Sequence, residues 1–371
     1  MHIILFLLML SVLVFVHELG HFLLAKWNGI RVDSFAIGFP PTLWQKKVGE
    51  TTYKINLLLF GGYVSIFGEN PDDASLSGPD SNRSMVTKSW WRQITVLIAG
   101  IIFNMLFAWF LLVLTLWIGA PMSARDSVLP IRDPHMTILS VLPDSPAENA
   151  GLHMGDKIES IEFFSNNYTE GATRNIVINH PSDTDATITA IRNSDRIMMN
   201  VTSPHAVKSH DVEIIPTTGI LDTGTGKAIG ITLDVVGTAR ASFFQGITHG
   251  FMQTVYMTGG MAKGLWGLIT GSLSVKYITG PVGLVGIVGA ASSVGLVSVL
   301  MLMAMISINL AIINIIPFPA LDGGRILFVI IEKIKGSRIP PAISNTVNMI
   351  GFGILMLLML LVTVKDVVHL F

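Results

Sequence analysis

The chain has 371 residues, of which 50% are apolar and 13% charged, and its mean hydropathy is +0.61. This is the composition of a membrane protein, not of a soluble enzyme with a large core. A net charge of −1 without a long basic run leaves no electrostatic footprint for nucleic acid, and the absence of cysteine excludes disulfides and thiolate metal ligands.

Four stretches, about Ile3–Ala25, Ile94–Ile118, Gly295–Ile316 and Asn348–Val364, are long enough or nearly so to cross a bilayer as helices. The first contains His17-Glu18-Leu19-Gly20-His21 within its apolar run. Ionisable groups at membrane depth are costly and therefore mark function. On a helix His17 and His21 lie one turn apart on one face, so both imidazoles can reach a Zn²⁺ ion, with Glu18 beside it as general base. His17 precedes Trp27 by ten residues, which places the metal about 15 Å inside that end of the helix. The stretch has no basic n-region and no A-x-A-like exit, so it is expected to be retained and not removed as a signal peptide.

Lys26–Gln93 contains eight Lys/Arg, and Arg325, Lys333, Lys335 and Arg338 form a second basic cluster. The positive-inside rule puts both on the cytoplasmic side, and both termini and Gly119–Val294 on the other. Alternation predicts strands at Ser34–Phe39, Thr52–Leu57 and Gly61–Ile66, with turns at Pro40-Pro41 and Gly49-Glu50. An open edge of such a sheet suits an unwound substrate strand; a plain cytoplasmic sheet is the competing reading. Pro71–Lys88 reads as a polar connector.

Beyond the second span, Thr137–Glu162 predicts strand, short helix, strand. The pattern S-P-A-x-x-A-G-L-x-x-G-D-x-I at Ser145–Ile158 resembles part of a PDZ domain, which implies one α+β PDZ-like domain over about 122–218. A C-terminal peptide is its candidate ligand, with a purely steric role equally open. Within Gly219–Gly230, Gly224–Ala228 does not complete a phosphate loop, and the stretch reads as a flexible turn. Phe243–Leu273 spaces Gly260, Gly264, Gly267 and Gly271 as for close helix packing or a helix along the membrane surface, with Trp266 as an interfacial anchor.

A catalytic zinc site needs a third protein ligand. Pro317-Phe318-Pro319-Ala320-Leu321-Asp322-Gly323-Gly324 breaks the third span and brings a lone carboxylate to membrane depth. Asp322 is either that ligand or the N-cap of the helix that follows. Asn309 and Asn314 offer amides to the backbone groups freed by the break.

H-E-L-G-H in the first span, F-G-G-Y-V at Phe60–Val64, A-G-x-x-x-N at Ala99–Asn104, the PDZ-like pattern, T-G-P at Thr279–Pro281 and N-x-x-x-x-N-x-x-P-x-P-x-L-D-G-G at Asn309–Gly324 follow one another along the chain. Together they resemble the bacterial site-2 protease family, intramembrane zinc metalloproteases. The resemblance implies that Asp322 joins His17 and His21 on zinc, that Glu18 is catalytic, and that Asn309, Asn314 and Asn104, with Gly61, Gly62 and Tyr63 of the β element, contact substrate. It implies a multi-pass protein of the bacterial cytoplasmic membrane that cleaves single-span proteins within their transmembrane segments, such as an anti-sigma factor or remnant signal peptides. Unlike the longest members, this chain shows one PDZ-like pattern instead of two.

The expected organisation is therefore a polytopic α-helical membrane protein with a membrane-associated β element. Its bounds are 1–27 (first span), 28–93 (β element and connector), 94–118 (second span), 122–218 (PDZ-like), 219–294 (linker and surface helix), 295–335 (third span with the L-D-G motif) and 346–367 (fourth span). Substrate helices with Gly, Pro, Asn or Ser near the cleavage point should unwind most readily. A non-catalytic receptor or chaperone for single-span proteins is the competing class.

Overall fold

A computed structural model describes residues 2–69, 73–125, 127–165, 176–179, 182–204, 208–220, 226–273 and 279–368. In chain order the first elements are α1 (His2–Trp27), β1 (Val32–Val48), β2 (Thr51–Ile66), α2 (Asp73–Ser77) and α3 (Trp90–Ile118). Then come β3 (Ala120–Ser123), β4 (Ile131–Val141), α4 (Pro146–Asn149), β5 (Lys157–Phe164), β6 (Ile176–Asn179), α5 (Thr184–Arg192), β7 (Arg196–Thr202), β8 (His210–Ile214) and β9 (Ile231–Ala239). The chain closes with α6 (Phe243–Ile269), α7 (Pro281–Val294), α8 (Leu296–Ile315), α9 (Asp322–Lys335) and α10 (Pro341–Val368). It divides into two compact units, one of Met1–Leu114, Ile247–Gly289 and Val299–Phe371, the other of Thr115–Gly246 and Ala290–Ser298.

In the first unit α1, α3, α8 and α10 are each long and apolar enough to cross a membrane. Helices α3 and α10 start earlier than expected, at Trp90 and Pro341, because polar turns containing Arg92-Gln93 and Ser344–Thr346 precede the apolar runs. Helix α1 stops at Gly29, whose φ of 66° is open to glycine at little cost. Asn28 N–H bonds to Leu24 O, Gly29 N–H to Lys26 O and Ile30 N–H to Ala25 O, so the last carbonyls are satisfied as the chain turns into β1.

Strands β1 and β2 form a long hairpin that folds back on itself. Ser34–Ile37 has partners on both sides, Ser65–Gly62 on one and Thr52–Ile55 on the other, while Thr42–Val48 lies against Asn56–Thr51. Pro40-Pro41, expected to be a turn, is a cis pair within β1 at which the chain does reverse: Ser34–Ile37 runs in the same direction as Thr52–Ile55, whereas Thr42–Val48 runs against Asn56–Thr51. A second reversal falls at Gly49-Glu50, where Gly49 has φ 62°. Leu57, Leu58 and Leu59 are 52%, 40% and 46% exposed. Ser11, in mid-α1, donates its hydroxyl to Leu59 O. The hairpin thus carries an apolar tip to the depth of the span, where its paired backbone makes non-helical chain tolerable. Ala25, Ile30, Val32, Phe35, Val64, Ile66, Met85, Val96, Leu97 and Val329 form one buried cluster that joins α1, the hairpin, α3 and α9.

The second unit holds a seven-stranded sheet in the order β3-β9-β4-β5-β7-β8, with β6 against β5. Its core includes Met136, Ile138, Ile158, Ile161, Ile197, Met199 and Val201, all fully buried. Helix α4 starts where Ser145 Oγ accepts from Glu148 N–H and Glu148 Oε2 accepts from Asp144 N–H. This reciprocal cap follows from the S-P-A-E sequence. The expected bounds of 122–218 are corrected here: β9 is paired with both β3 and β4, so the sheet extends through Ala239 and 219–294 is not simply a linker and surface helix. Alternation alone did not reveal β9 because it follows the glycine-rich stretch. Residues 221–225 of the supposed flexible turn lie outside the described residues.

The glycine spacing of α6 does not mark close packing. Among the described residues, side chains at Gly260, Gly264 and Gly271 would meet nothing within 4 Å, and one at Gly267 would meet Leu273 and Ser272 of its own turn. The close approaches are at Gly246, beside the Trp117 indole, and Gly250, 3.1 Å from Val113 N. Trp266 is 67% exposed.

Candidate metal centre

The spacing of His17 and His21 in α1 brings their Nε2 atoms within 3.1 Å of each other. Asp322 Oδ2 lies 3.2 Å from His17 Nε2 and 3.4 Å from His21 Nε2. Donors about 2.0–2.1 Å from a tetrahedral zinc are about 3.3 Å apart, so these three atoms match one face of such a site. The carboxylate oxygen is also buried without a hydrogen-bond donor. A divalent cation resolves both its isolation and the crowding of three lone-pair atoms.

The surroundings fix the histidine tautomers. His21 Nδ1–H donates to Val96 O at 2.8 Å, leaving Nε2 as the metal-facing lone pair. His17 Nδ1 lies 3.3 Å from the side-chain amide of Asn104, which is fully buried on α3. With the amide oxygen turned toward the ring, Asn104 accepts the Nδ1 proton and leaves Nε2 free; otherwise that oxygen is buried without a partner. The backbone carbonyl of Asn104 accepts from Ser307 Oγ at 2.8 Å, which ties the same residue to α8. Asn104, expected to meet substrate, is therefore placed behind a histidine.

Glycines let α1 and α3 meet closely enough for this. A methyl at Gly20 would fall 2.8 Å from the carbonyl carbon of Ala99, and one at Gly100 would fall 2.6 Å from His17 Cε1. The A-G-x-x-x-N spacing thus combines a gap for the imidazoles with a hydrogen-bond partner one turn later.

Asp322 is not a helix cap. Leu321 occupies the N-cap of α9 without a side-chain bond, and Asp322 stands in the first turn with its carboxylate toward the histidines. The break before it is tight: a side chain at Gly323 would lie 2.6 Å from the Ile315 carbonyl carbon, and one at Gly324 would lie 2.7 Å from that of Phe318. Ala320 holds φ 72°, unfavourable for a residue with a Cβ, and its N–H donates to Asn348 Oδ1 at 3.2 Å. Asn348, from α10, does what was expected of Asn309 and Asn314. Neither of those makes a hydrogen bond among the described residues; Asn309 is exposed and Asn314 half-buried. The only signal for Asn348 was its polarity at the start of an apolar run. One turn beyond Asp322, Arg325 pairs with Glu69 just past β2, holding α9 against the hairpin.

Glu18 does not belong to the three-donor cluster. Its Oε2 accepts from Val64 N–H at 3.0 Å. That amide is not directed at Phe35, the neighbour of Val64 in the sheet, so the outer edge of Gly61–Ile66 faces the carboxylate. On this strand Tyr63 stacks on Phe39, with ring centroids 6.4 Å apart, and Gly61 lies against the same ring. Gly62 is close to Ala36 O, where a Cβ would fall at 2.8 Å.

An HExxH pair and its glutamate on an apolar span helix, with a carboxylate brought in at the helix break that follows the apolar α8, define a membrane-embedded metallopeptidase. The sequence profile of peptidase family M50 matches residues 5–358. The chain is 33% identical to a zinc metalloprotease of Clostridium perfringens over 99% of each chain. It is 31% identical to one from Nostoc over 97% of this chain and 94% of the other. Against the regulator of sigma-W protease RasP of Bacillus subtilis it is 28% identical over 99% of this chain and 98% of the other. The chain belongs to peptidase family M50, the site-2 proteases, and is a zinc metalloprotease of a bacterial membrane.

Proposed function

We propose that this chain is an intramembrane endopeptidase that holds zinc on His17, His21 and Asp322 and cuts single-span membrane proteins within their spans. The observation that carries the reading is the contact of Glu18 with Val64 N–H, at the outer edge of a strand beside the three-donor cluster. When bound, zinc polarises the scissile carbonyl and makes water ionisable near neutral pH. Glu18 takes the proton of the attacking water and delivers it to the leaving amine. A transmembrane helix must first unwind, and pairing with the outer edge of Gly61–Ile66 offsets the hydrogen bonds it loses. Asn309 and Asn314, which make no hydrogen bond among the described residues, are the candidates for holding the substrate backbone.

The basic segments at Lys26–Gln93 and Arg325–Arg338 support placing the active site nearer the cytoplasmic side and the second unit outside. The name of the Bacillus subtilis relative supports a membrane-anchored regulator of a sigma factor as a substrate; remnant signal peptides are a second substrate class with the same single-span form. The second unit reads as the PDZ-like domain. Its α5 and β9 flank a groove of about 330 Å³ lined by Ile188, Ile191, Ile231 and Leu233. There β9 pairs with β4 at Ile231–Asp234, while its pairing with β3 starts only at Val236, so among the described residues the other edge of Ile231–Asp234 has no strand partner and suits a peptide strand.

The test is cleavage of a single-span substrate by purified protein in detergent. Native protein cuts it, Glu18→Gln retains zinc but loses cleavage by more than about a thousandfold, and chelation removes activity that Zn²⁺ restores. Zinc-bound wild-type protein that holds the substrate without cutting it supports a receptor instead.

A further inference from the structure

Where α1 ends and α3 begins, Leu24, Trp27, Asn28, Gly29, Lys88, Trp91, Arg92 and Thr95 line a cleft of about 630 Å³. The indoles of Trp27 and Trp91 are 84% and 50% exposed at the ends of two spans, where amphipathic rings meet the headgroup layer. Between them are two cations. Among the described residues neither Lys88 nor Arg92 has a carboxylate within ion-pair distance, while nearby Lys26 and Arg83 share Glu50. The Lys88 ammonium lies over Gly29, 3.8 Å from where a side chain would begin. Burial, and then repulsion from Arg92 and Arg83, push the Lys88 ammonium down. Asn28 spends its amide N–H groups on Leu24 O and Thr95 Oγ1, leaving its carbonyl oxygen as an acceptor.

We propose that this cleft binds the headgroup of an anionic phospholipid, with the phosphate between Lys88 and Arg92 and the chains leaving along the apolar ends of α1 and α3. Charge complementarity calls for an anion, and two indoles with Leu24 at span ends call for one that carries an acyl body, which free phosphate lacks. The site lies at the base of the helix that carries His17, Glu18 and His21, so its occupant also anchors the catalytic helix at the interface.

The test is native mass spectrometry of the full chain released from detergent with added phosphatidylglycerol or phosphatidylcholine. One phosphatidylglycerol is retained in preference to phosphatidylcholine, and added salt weakens only the former. A Lys88→Gln/Arg92→Gln variant loses about 30-fold in affinity, roughly 2 kcal/mol at 1.4 kcal/mol per tenfold. Lys88→Arg/Arg92→Lys keeps the site, and the salt dependence of the wild type stands even if the Gln variant fails to fold. Equal retention of both lipids, indifference to salt, or displacement by millimolar inorganic phosphate overturns the proposal.

Discussion

At the residue scale the centre depends on atoms that do not touch the metal. Asn104 contacts only His17 Nδ1 among the proposed ligands, so it acts as a positioning residue. Replacing it with Ala removes the acceptor that fixes the tautomer and is expected to weaken zinc binding by about 10- to 100-fold, measured by competition with a chromogenic chelator. Asn104→Asp, which keeps an acceptor, should recover most of the affinity; an unchanged affinity in Asn104→Ala removes the role. The two histidines were legible because helical spacing alone puts them together. Asn104 was legible only through the A-G-x-x-x-N pattern, and there as a substrate contact, since which ring it faces depends on how two distant helices pack.

At the element scale the approach of α1 and α3 decides whether the imidazoles fit. Gly100→Ala puts a methyl 2.6 Å from His17 Cε1. It should cost about 1–3 kcal/mol of overpacking and lower zinc occupancy, read as metal content and thermal midpoint. The hairpin is held to the end of α1 by Glu50, which pairs with Lys26 and Arg83. Burial raises the Glu50 carboxyl, but the hydrogen bonds and charges of Lys26 and Arg83 outweigh it and hold the group below its ordinary range. A depressed folded pKa means the stabilisation is complete above the unfolded value of about 4.3 and fades as pH falls through the folded one. Glu50→Gln should therefore lower stability at pH 7 by less than about 1 kcal/mol for so exposed a group, read as a lower thermal midpoint. The deficit should shrink as pH falls below that unfolded value; a deficit independent of pH would assign the effect to packing. The strands themselves were legible from alternation, but the doubling of Ser34–Ile37 between two partners was not, because pairing is a long-range choice.

For the whole molecule, the positive-inside reading predicts that Lys26–Gln93 and the second unit face opposite sides of the membrane. The chain has no cysteine of its own. Single cysteines at Lys46 and at Glu213 should therefore react with an impermeant maleimide from opposite faces of sealed vesicles. Labelling from the same face would invert or abandon the topology. The hydrophobic runs were visible because crossing a bilayer demands length and apolarity that no local detail can disguise. The extent of the second unit was misjudged because β9 joins its sheet from beyond a glycine-rich stretch, and only strand pairing reveals membership.

The sequence by itself determined the membrane class, the four apolar helices, the i to i+4 histidine pair and the broken helix carrying Asp322, all of which follow from local periodicity and composition. Only the tertiary structure decided that Asp322 faces the histidines instead of capping α9, that Asn348 satisfies the turn before it, and that Glu18 meets the outer edge of β2. Each of these joins elements far apart in the chain, and such contacts are chosen by packing and hydrogen-bond satisfaction across the fold, which no single segment encodes.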